Sequence, residues 1–156
     1  MSVKLLAFAA SHRANSFNRR LLEMAAHEAE HAGAAVTRME YADFDAPLFK
    51  DLDEDTHHLP EGASRLGDAI LAHDGFLLAS PEYNWSMPGS LKNLIDWLSV
   101  DPRKPLTGKL ALLLCASPST RGGVLGLTQL RVPLENQHVW VYPQLIGIGG
   151  CTEAIA

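Results

Sequence analysis

Short apolar runs alternate along the chain with longer stretches in which apolar residues recur every three or four positions. The runs are continuous, which is typical of strands covered on both faces, as in a parallel sheet. Five such runs predict five strands: Val3 to Ala10, Ala34 to Tyr41, Gly75 to Ser80, Lys109 to Ala116 and His138 to Tyr142.

Four stretches between these runs carry an apolar stripe at helical spacing. The clearest stripe is Leu91, Leu94, Ile95 and Leu98, and the other three lie within residues 21–32, 63–70 and 127–134. Pro133 is expected to end or kink the fourth helix, because proline lacks the backbone N–H that a helix interior needs. The alternation of strands and helices predicts a doubly wound α/β sheet, formed as a single domain by residues 1–156.

The composition excludes several classes of protein. The chain has 156 residues, 47% hydrophobic and 20% charged, which is typical of a globular domain. No apolar run approaches the roughly 20 residues of a membrane-spanning helix, and the N-terminal run is interpreted as a strand rather than a signal peptide. The net charge of −5 argues against a nucleic-acid partner. Cys115 and Cys151 are far apart and fit no metal-binding spacing, which favours a cytoplasmic location.

The segment from Asp43 to Glu61 is rich in acidic residues and contains two prolines. It predicts a long solvated loop with at most a short helical turn. His57 and His58 lie beside the acidic residues, but they form no closed ligand set, so we expect no metal site.

The loop after the first strand is the strongest candidate for binding chemistry. Ligands of open parallel sheets bind beyond the carboxyl ends of the strands. Here that loop carries hydroxyls, amides and an arginine beside a helix start, which is a typical phosphate-binding arrangement. The alternative is that Asn15 or Ser16 merely caps the helix. The polar residues are Ser11, Arg13, Asn15, Ser16 and Asn18.

Two further loops follow the third and fourth strands. Residues 81–88 are made stiff by two prolines and place Tyr83 and Trp85 where a flat heteroaromatic ring could bind, unless these rings only cap the core. Residues 117–123 end in Gly122 and Gly123, which permit close approach of the backbone to a ligand or form an ordinary turn.

Two common phosphate-binding motifs are absent. The chain has no G-x-x-x-x-G-K-[ST] sequence and no G-x-G-x-x-G after the first strand. Gly147, Gly149 and Gly150 are predicted to follow the last strand, where a dinucleotide fingerprint would have no role.

Taken together, the three loops resemble the NADPH-dependent FMN reductase family, which includes quinone, chromate and azo reductases. The family pattern G-S-x-R-x-x-S-x-N is matched by residues 10–18, with Ala10 in place of the first glycine. The pattern P-E-Y-N-x-S-x-P-x-x-L-K-N-x-I-D-W is matched in full by residues 81–97. The resemblance extends from about Val3 to about Tyr142.

This resemblance implies a flavodoxin-like five-stranded sheet of order 2-1-3-4-5 that binds FMN and uses NAD(P)H as co-substrate. It implies no catalytic side chain, because the cofactor carries the hydride. The implied cofactor-binding residues are Ser11, Arg13, Ser16, Phe17 and Asn18 for the phosphate, Pro81, Glu82, Tyr83 and Asn84 for the ring, and Ser117, Gly122 and Gly123 for the far side.

The resemblance also bears on assembly. Family members form dimers or tetramers, so a homodimer or homotetramer is expected. They usually have a further helix after the fifth strand, and the residues here that follow that strand are too few to form it. One face of the sheet is therefore expected to be bare or covered by another subunit.

Three alternative functions remain open from the sequence. A flavodoxin-type electron carrier would share the fold and FMN, but Arg13 and the modest charge argue against it. A receiver domain would need an aspartate where Ser80 and Pro81 stand. A flavin-free interaction domain is the third. The small-molecule electron acceptor, a flavin, quinone, azo compound or metal oxyanion, is not identified.

Overall fold

A parallel sheet of order β2-β1-β3-β4-β5 forms the centre of the computed structural model, which describes residues 2–50 and 58–155. The strands are β1 (Lys4–Ala9), β2 (Ala35–Arg38), β3 (Gly75–Ala79), β4 (Leu110–Ala116), β5 (Trp140–Val141) and β6 (Ile146–Ile148). The predicted flavodoxin-like order is confirmed. Whether residues 1–156 form one domain stays a prediction.

The helices lie on both faces of this sheet, as the alternating pattern predicts. They are α1 (Phe17–His31), α2 (Glu61–Leu71), α3 (Gly89–Ser99), α4 (Val124–Asn136) and α5 (Cys151–Ala154). Helices α2, α3 and α4 contribute to one apolar cluster, and α1 with Cys151 contributes to the cluster on the other face. The buried side chains of β1, β3 and β4 therefore contribute to one of two apolar clusters, one on each face of the sheet.

The fifth position of the sheet is occupied by two short strands. β5 pairs with the start of β4 at Leu110 and Ala111, whereas β6 pairs with its end, from Leu114 to Ala116. The prediction that Gly147 follows the last strand is therefore wrong, because Gly147 lies within β6 opposite Cys115. The predicted fifth strand, His138 to Tyr142, is shorter in the structure, and β6 is a further strand that the sequence did not predict; residues 142–145 between them are irregular.

Proline in α4 has a smaller effect than expected. Pro133 does not end the helix, because α4 continues for three more residues to Asn136. Pro133 lies in the last turn of α4, where the missing N–H removes only one helical hydrogen bond. Of the two predicted outcomes, the end of the helix at Pro133 is wrong, and a kink stays a prediction.

The described part of the acidic segment packs against α3. Tyr41–Phe44 forms a 3-10 turn whose Phe44 is fully buried. The backbone N–H of Phe49 donates to Asn93 Oδ1 at 2.6 Å, and the Trp97 indole N–H donates to the Pro47 carbonyl at 2.8 Å. The first part of the predicted solvated loop, as far as Phe49, is therefore held against α3 by hydrogen bonds. Residues 51–57, including His57, lie outside the described residues.

A groove of about 660 Å³ is open on the face of the sheet that carries α1. It lies over β4, β5 and β6 and has mainly apolar walls that include Leu112 and Ile146. Leu110 is 61% exposed and Trp140 is 70% exposed at its rim. No helix in residues 2–50 or 58–155 is long and apolar enough to cross a membrane.

Candidate functional site

Three loops meet at the carboxyl edge of the sheet and enclose a cleft of about 220 Å³. They follow β1, β3 and β4, whose carboxyl ends are neighbours because these strands are adjacent and parallel. Nine of the twelve predicted site residues line the cleft: Ser11, Arg13, Ser16, Phe17, Asn18, Pro81, Glu82, Tyr83 and Ser117. Asn15, Ala116 and Pro118 complete the lining.

The start of α1 presents unused hydrogen-bonding capacity to this cleft. Ser16 occupies the N-cap position, but its side chain makes no capping hydrogen bond. The first N–H groups of a helix have no intrahelical partner and carry partial positive charge. The simple capping interpretation of Ser16 therefore does not hold in this structure, and its hydroxyl remains available to a ligand.

Ser11 and Arg13 form the opposite side of the same loop. Ser11 is buried, and its hydroxyl accepts a hydrogen bond from the Arg13 backbone N–H at 3.4 Å. Among residues 2–50 and 58–155, no carboxylate oxygen lies within 4 Å of the Arg13 guanidinium, in contrast to Arg19, which pairs with Glu40. Arg13 can therefore bring its full charge to an anion in the cleft.

Asn18 has a different role from its neighbours. Its side-chain N–H donates to the Ala116 carbonyl at 3.0 Å, and its carbonyl oxygen accepts from the Ala116 N–H at 2.9 Å. Both ends of the amide are thus used to join the first turn of α1 to the end of β4. Asn18 can contribute to ligand binding through its backbone, while its side chain fixes the shape of the cleft.

Tyr83 and Asn84 belong to a tight β-hairpin at the mouth of the cleft. The Tyr83 N–H donates to the Ser86 carbonyl at 2.8 Å, and the Ser86 N–H donates back at 3.0 Å. Asn84 and Trp85 between them have φ of 52° and 63°, as in a type I′ turn. The turn leaves Tyr83 48% exposed beside the cleft and places Asn84 outside its lining.

The Glu82 carboxylate is directed away from the cleft towards α4. Its Oε2 accepts a hydrogen bond at 2.8 Å from the backbone N–H of Gly126, in the first turn of that helix. A carboxylate at this position is stabilised by the partial positive charge of the helix start. Glu82 therefore contributes its backbone and the stem of its side chain to the cleft.

Gly122 and Gly123 are placed behind the cleft wall rather than on its surface. A Cβ on Gly122 would lie 2.6 Å from the carbonyl carbon of Gly147, and one on Gly123 would lie 2.2 Å from the Cys115 sulfur. Both have positive φ, 65° and 74°. Gly122 thus lets the loop after β4 pack against β6, and Gly123 lets it pack against Cys115 of β4.

The two cysteines near the cleft are buried, and their pKa values are raised. Burial, assisted by the negative charge of Glu82, raises the pKa of the Cys115 thiol to about 12. Cys151 is also buried, and burial raises its pKa as well. Neither cysteine is a thiolate at neutral pH, so neither supplies a nucleophile. Among the described residues, no three His, Cys, Asp or Glu side chains are grouped as metal ligands.

The sequence places Trp85 beside Tyr83 as a ring that a flat ligand could contact, but it does not include Trp85 among the cofactor-binding residues, and it does not single out Arg121. The Arg121 guanidinium carbon lies 5.6 Å from the centre of the Trp85 ring. Trp85 stands at the variable position of the motif P-E-Y-N-x-S, so the family resemblance gives it no role. The adjacent paired glycines drew attention to the loop after β4 but not to Arg121.

Comparison with known proteins gives consistent matches. The sequence model of the NADPH-dependent FMN reductase family matches residues 3–153. An NAD(P)H-dependent FMN reductase of Pseudomonas aeruginosa is 37% identical over 135 residues, which cover 85% of this chain and 69% of that protein. A quinone reductase of Escherichia coli is 40% identical over 79 residues, 51% of this chain and 42% of that protein.

A solved structure shows the same fold. The flavoenzyme NAD(P)H:(acceptor) oxidoreductase FerB from Paracoccus denitrificans superposes with a TM-score of 0.77 at 27% sequence identity. The match covers 92% of this chain and 78% of the FerB chain.

Proposed function

Since this chain belongs to the NADPH-dependent FMN reductase family, an oxidoreductase family, we propose that it binds FMN in the cleft and passes reducing equivalents from NAD(P)H to a small-molecule acceptor. The observation that carries this proposal is the start of α1, where the helix N–H groups, a Ser16 hydroxyl that makes no capping hydrogen bond and Arg13, which has no carboxylate partner among the described residues, surround one cleft. This donor set matches the needs of a phosphate monoester.

The dimensions of the cleft fit the phosphate and the sugar-alcohol chain of FMN. Pockets that enclose a whole drug-sized ligand have volumes of about 300–1,000 Å³, so a cleft of about 220 Å³ would hold only part of this cofactor. The flat ring would then rest at the mouth, against Pro81, the Glu82 backbone and Tyr83. Asn84, Gly122 and Gly123 would support these walls from behind.

The protein's own contributions are binding, orientation and exclusion of water. Ser11, Arg13, Ser16 and the N–H groups of Phe17 and Asn18 would hold the phosphate, and Ser117 would close the far side. When bound, FMN supplies a ring that accepts a hydride from NAD(P)H and passes it on. Reduction of a quinone also takes one proton, which solvent supplies at the open mouth.

The acceptor class is proposed from the relatives. A quinone reductase and a protein named NADPH azoreductase are among the similar proteins, so quinones and azo compounds are the first acceptors to test. We also propose a homodimer or homotetramer, supported by the open apolar groove over β4. A cytoplasmic location is supported by two unpaired, buried thiols.

One spectroscopic experiment tests the central proposal. The purified protein, supplied with FMN and freed of excess, should show the visible absorbance of bound flavin. Anaerobic addition of NADPH alone should bleach that absorbance, and a quinone should restore it. Bound flavin that NADPH does not bleach would instead indicate an electron carrier, and failure to retain flavin would contradict the proposal altogether.

A further inference from the structure

Trp85 and Arg121 form an exposed pair that joins two loops of the cleft. Trp85 lies in the hairpin turn after β3 and is 65% exposed, whereas Arg121 lies in the loop after β4. Their separation of 5.6 Å, from guanidinium carbon to ring centre, is within the range of a cation–π interaction. Tyr83, two residues before Trp85, and Pro118, three residues before Arg121, line the cleft itself.

The backbone holds the Trp85 ring at the mouth at an energetic cost. A bulky residue with φ of 63° is in the left-handed region, which non-glycine residues rarely adopt. The two hydrogen bonds between Tyr83 and Ser86 impose this conformation. Glycine would satisfy the turn with less strain, and residues strained in this way are concentrated at ligand-binding sites. A large aromatic ring at this position therefore suggests a binding role.

The charge of Arg121 is available to a ligand. Within residues 2–50 and 58–155, no carboxylate oxygen is found within 4 Å of its guanidinium. The acidic residue of the neighbouring loop, Glu82, is already bonded to the N–H of Gly126. A guanidinium that faces an aromatic ring can still donate its edge N–H groups to an anion.

We propose that Trp85 and Arg121 select electron acceptors that are planar, aromatic and anionic, such as quinones bearing a sulfonate or carboxylate. The acceptor ring would stack at the mouth beside Tyr83 and Trp85, and its anionic group would accept hydrogen bonds from Arg121. This inference rests on the proposed function, because it names the acceptor class of the same site. Arg13 lines the cleft itself, which Trp85 and Arg121 do not, and is assigned to the phosphate.

Matched acceptors and matched variants test this selection. A naphthoquinone and its sulfonate are compared as acceptors for the FMN-loaded wild type, Arg121→Gln and the control Arg65→Gln, which removes a surface arginine on α2. Arg121→Gln should lower kcat/KM for the sulfonate at least about tenfold, the effect of one charge-assisted hydrogen bond. It should leave kcat/KM for the neutral quinone and the affinity for FMN unchanged, and Arg65→Gln should change none of these values.

Other results would overturn the inference. An equal loss with both acceptors would mean that Arg121 only supports the loop, and an unchanged sulfonate rate would remove it from acceptor binding. A raised KM for NADPH with both acceptors unaffected would assign the pair to the nucleotide instead.

A binding measurement separates this inference from the proposed reaction. Calorimetric titration with naphthalene sulfonate, which the enzyme cannot reduce, should show binding to the wild type that weakens in Arg121→Gln and in Trp85→Gly. Equal binding by wild type and variants, or none at all, would overturn the inference even if the enzyme reduces quinones. Specific binding without any flavin reduction would contradict the proposed function alone.

Discussion

At the residue scale, neighbouring residues at the start of α1 have different roles: some support the structure, and others are available to a ligand. Asn18 uses its whole amide to join α1 to Ala116 at the end of β4. Ser16 and Arg13, in contrast, have no such partners among the described residues. A single motif in the sequence thus contains residues that shape the cleft and residues that remain free to bind within it.

Replacing Arg13 tests the phosphate assignment directly. Arg13→Ala should weaken FMN binding at least tenfold, about 1.4 kcal/mol, because one charge-assisted hydrogen bond to phosphate is lost. Fluorescence titration of the apoprotein with FMN measures this change. The control Arg65→Ala removes an equal charge from α2, where Arg65 pairs with Glu61, and should leave affinity unchanged. Equal affinities for wild type and Arg13→Ala would refute the assignment.

The buried thiol of Cys115 is expected to make the free energy of unfolding depend on pH in the alkaline range. Its pKa is raised from 9.0 to about 12 by burial, so the folded thiol keeps a proton that the unfolded thiol releases. The unfolded state then binds fewer protons, and the free energy of unfolding falls as pH rises from about 9 towards 12. Cys115→Ala should therefore flatten this fall, although not abolish it, because burial also raises the pKa of Tyr41.

Urea unfolding at neutral pH and at about pH 10 measures this difference. The control Leu113→Val alters the same buried strand without a titrating group, so it should lower stability equally at both pH values. A Cys115→Ala variant with the wild-type pH dependence would show that the thiol does not contribute.

At the scale of elements, the hydrophobic pattern predicted the strands and helices that are buried continuously. β1, β3 and β4 were found within about one residue because they are apolar on both faces. β6 was not predicted from the sequence, because its pairing with the end of β4 depends on the path of the irregular residues 142–145. The residues that match the family motif at positions 81–97 also differ in their roles. Asn93 and Trp97 form hydrogen bonds to the segment 46–49 and do not line the cleft.

The paired glycines of the loop after β4 illustrate a second limit of sequence reasoning. They suggested approach to a ligand, but Gly122 instead meets the backbone of Gly147. The two glycines are 25 positions apart, and nothing in the sequence indicates that they are in contact. Close packing between elements is a tertiary property that local patterns do not reveal.

A matched pair of glycine variants measures this packing. Gly122→Ala should destabilise the protein more than Gly108→Ala, because both positions have positive φ but only Gly122 has backbone atoms within 3 Å of an added Cβ. We expect an additional loss of about 1–3 kcal/mol, typical of overpacking. Urea denaturation followed by circular dichroism gives both values. Similar losses in the two variants would mean that the loop moves away from β6 at little cost.

At the scale of the whole molecule, the meeting of three distant loops follows from the topology. The order β1-β3-β4 places the carboxyl ends of these strands side by side, so residues 11–18, 81–83 and 117–118 surround one cleft. The sequence predicted this convergence because parallel strands were predicted. It could not predict which side chains are already bonded, as for Asn18 and Glu82, since those bonds join elements far apart in the chain.

The open groove over β4 and β5 leads to a prediction about assembly. Large apolar side chains that are exposed together indicate an interaction surface, and Leu110 and Trp140 stand at this rim. The double variant Leu110→Gln, Trp140→Gln should dissociate the proposed oligomer at concentrations where the wild type remains associated. Sedimentation velocity over a range of concentrations measures this change.

The control Val132→Gln alters an exposed apolar residue on α4, away from the groove, and should not change association. If Val132→Gln dissociates the protein and the groove variant does not, subunits associate through the helical face instead, and the groove has no part in assembly.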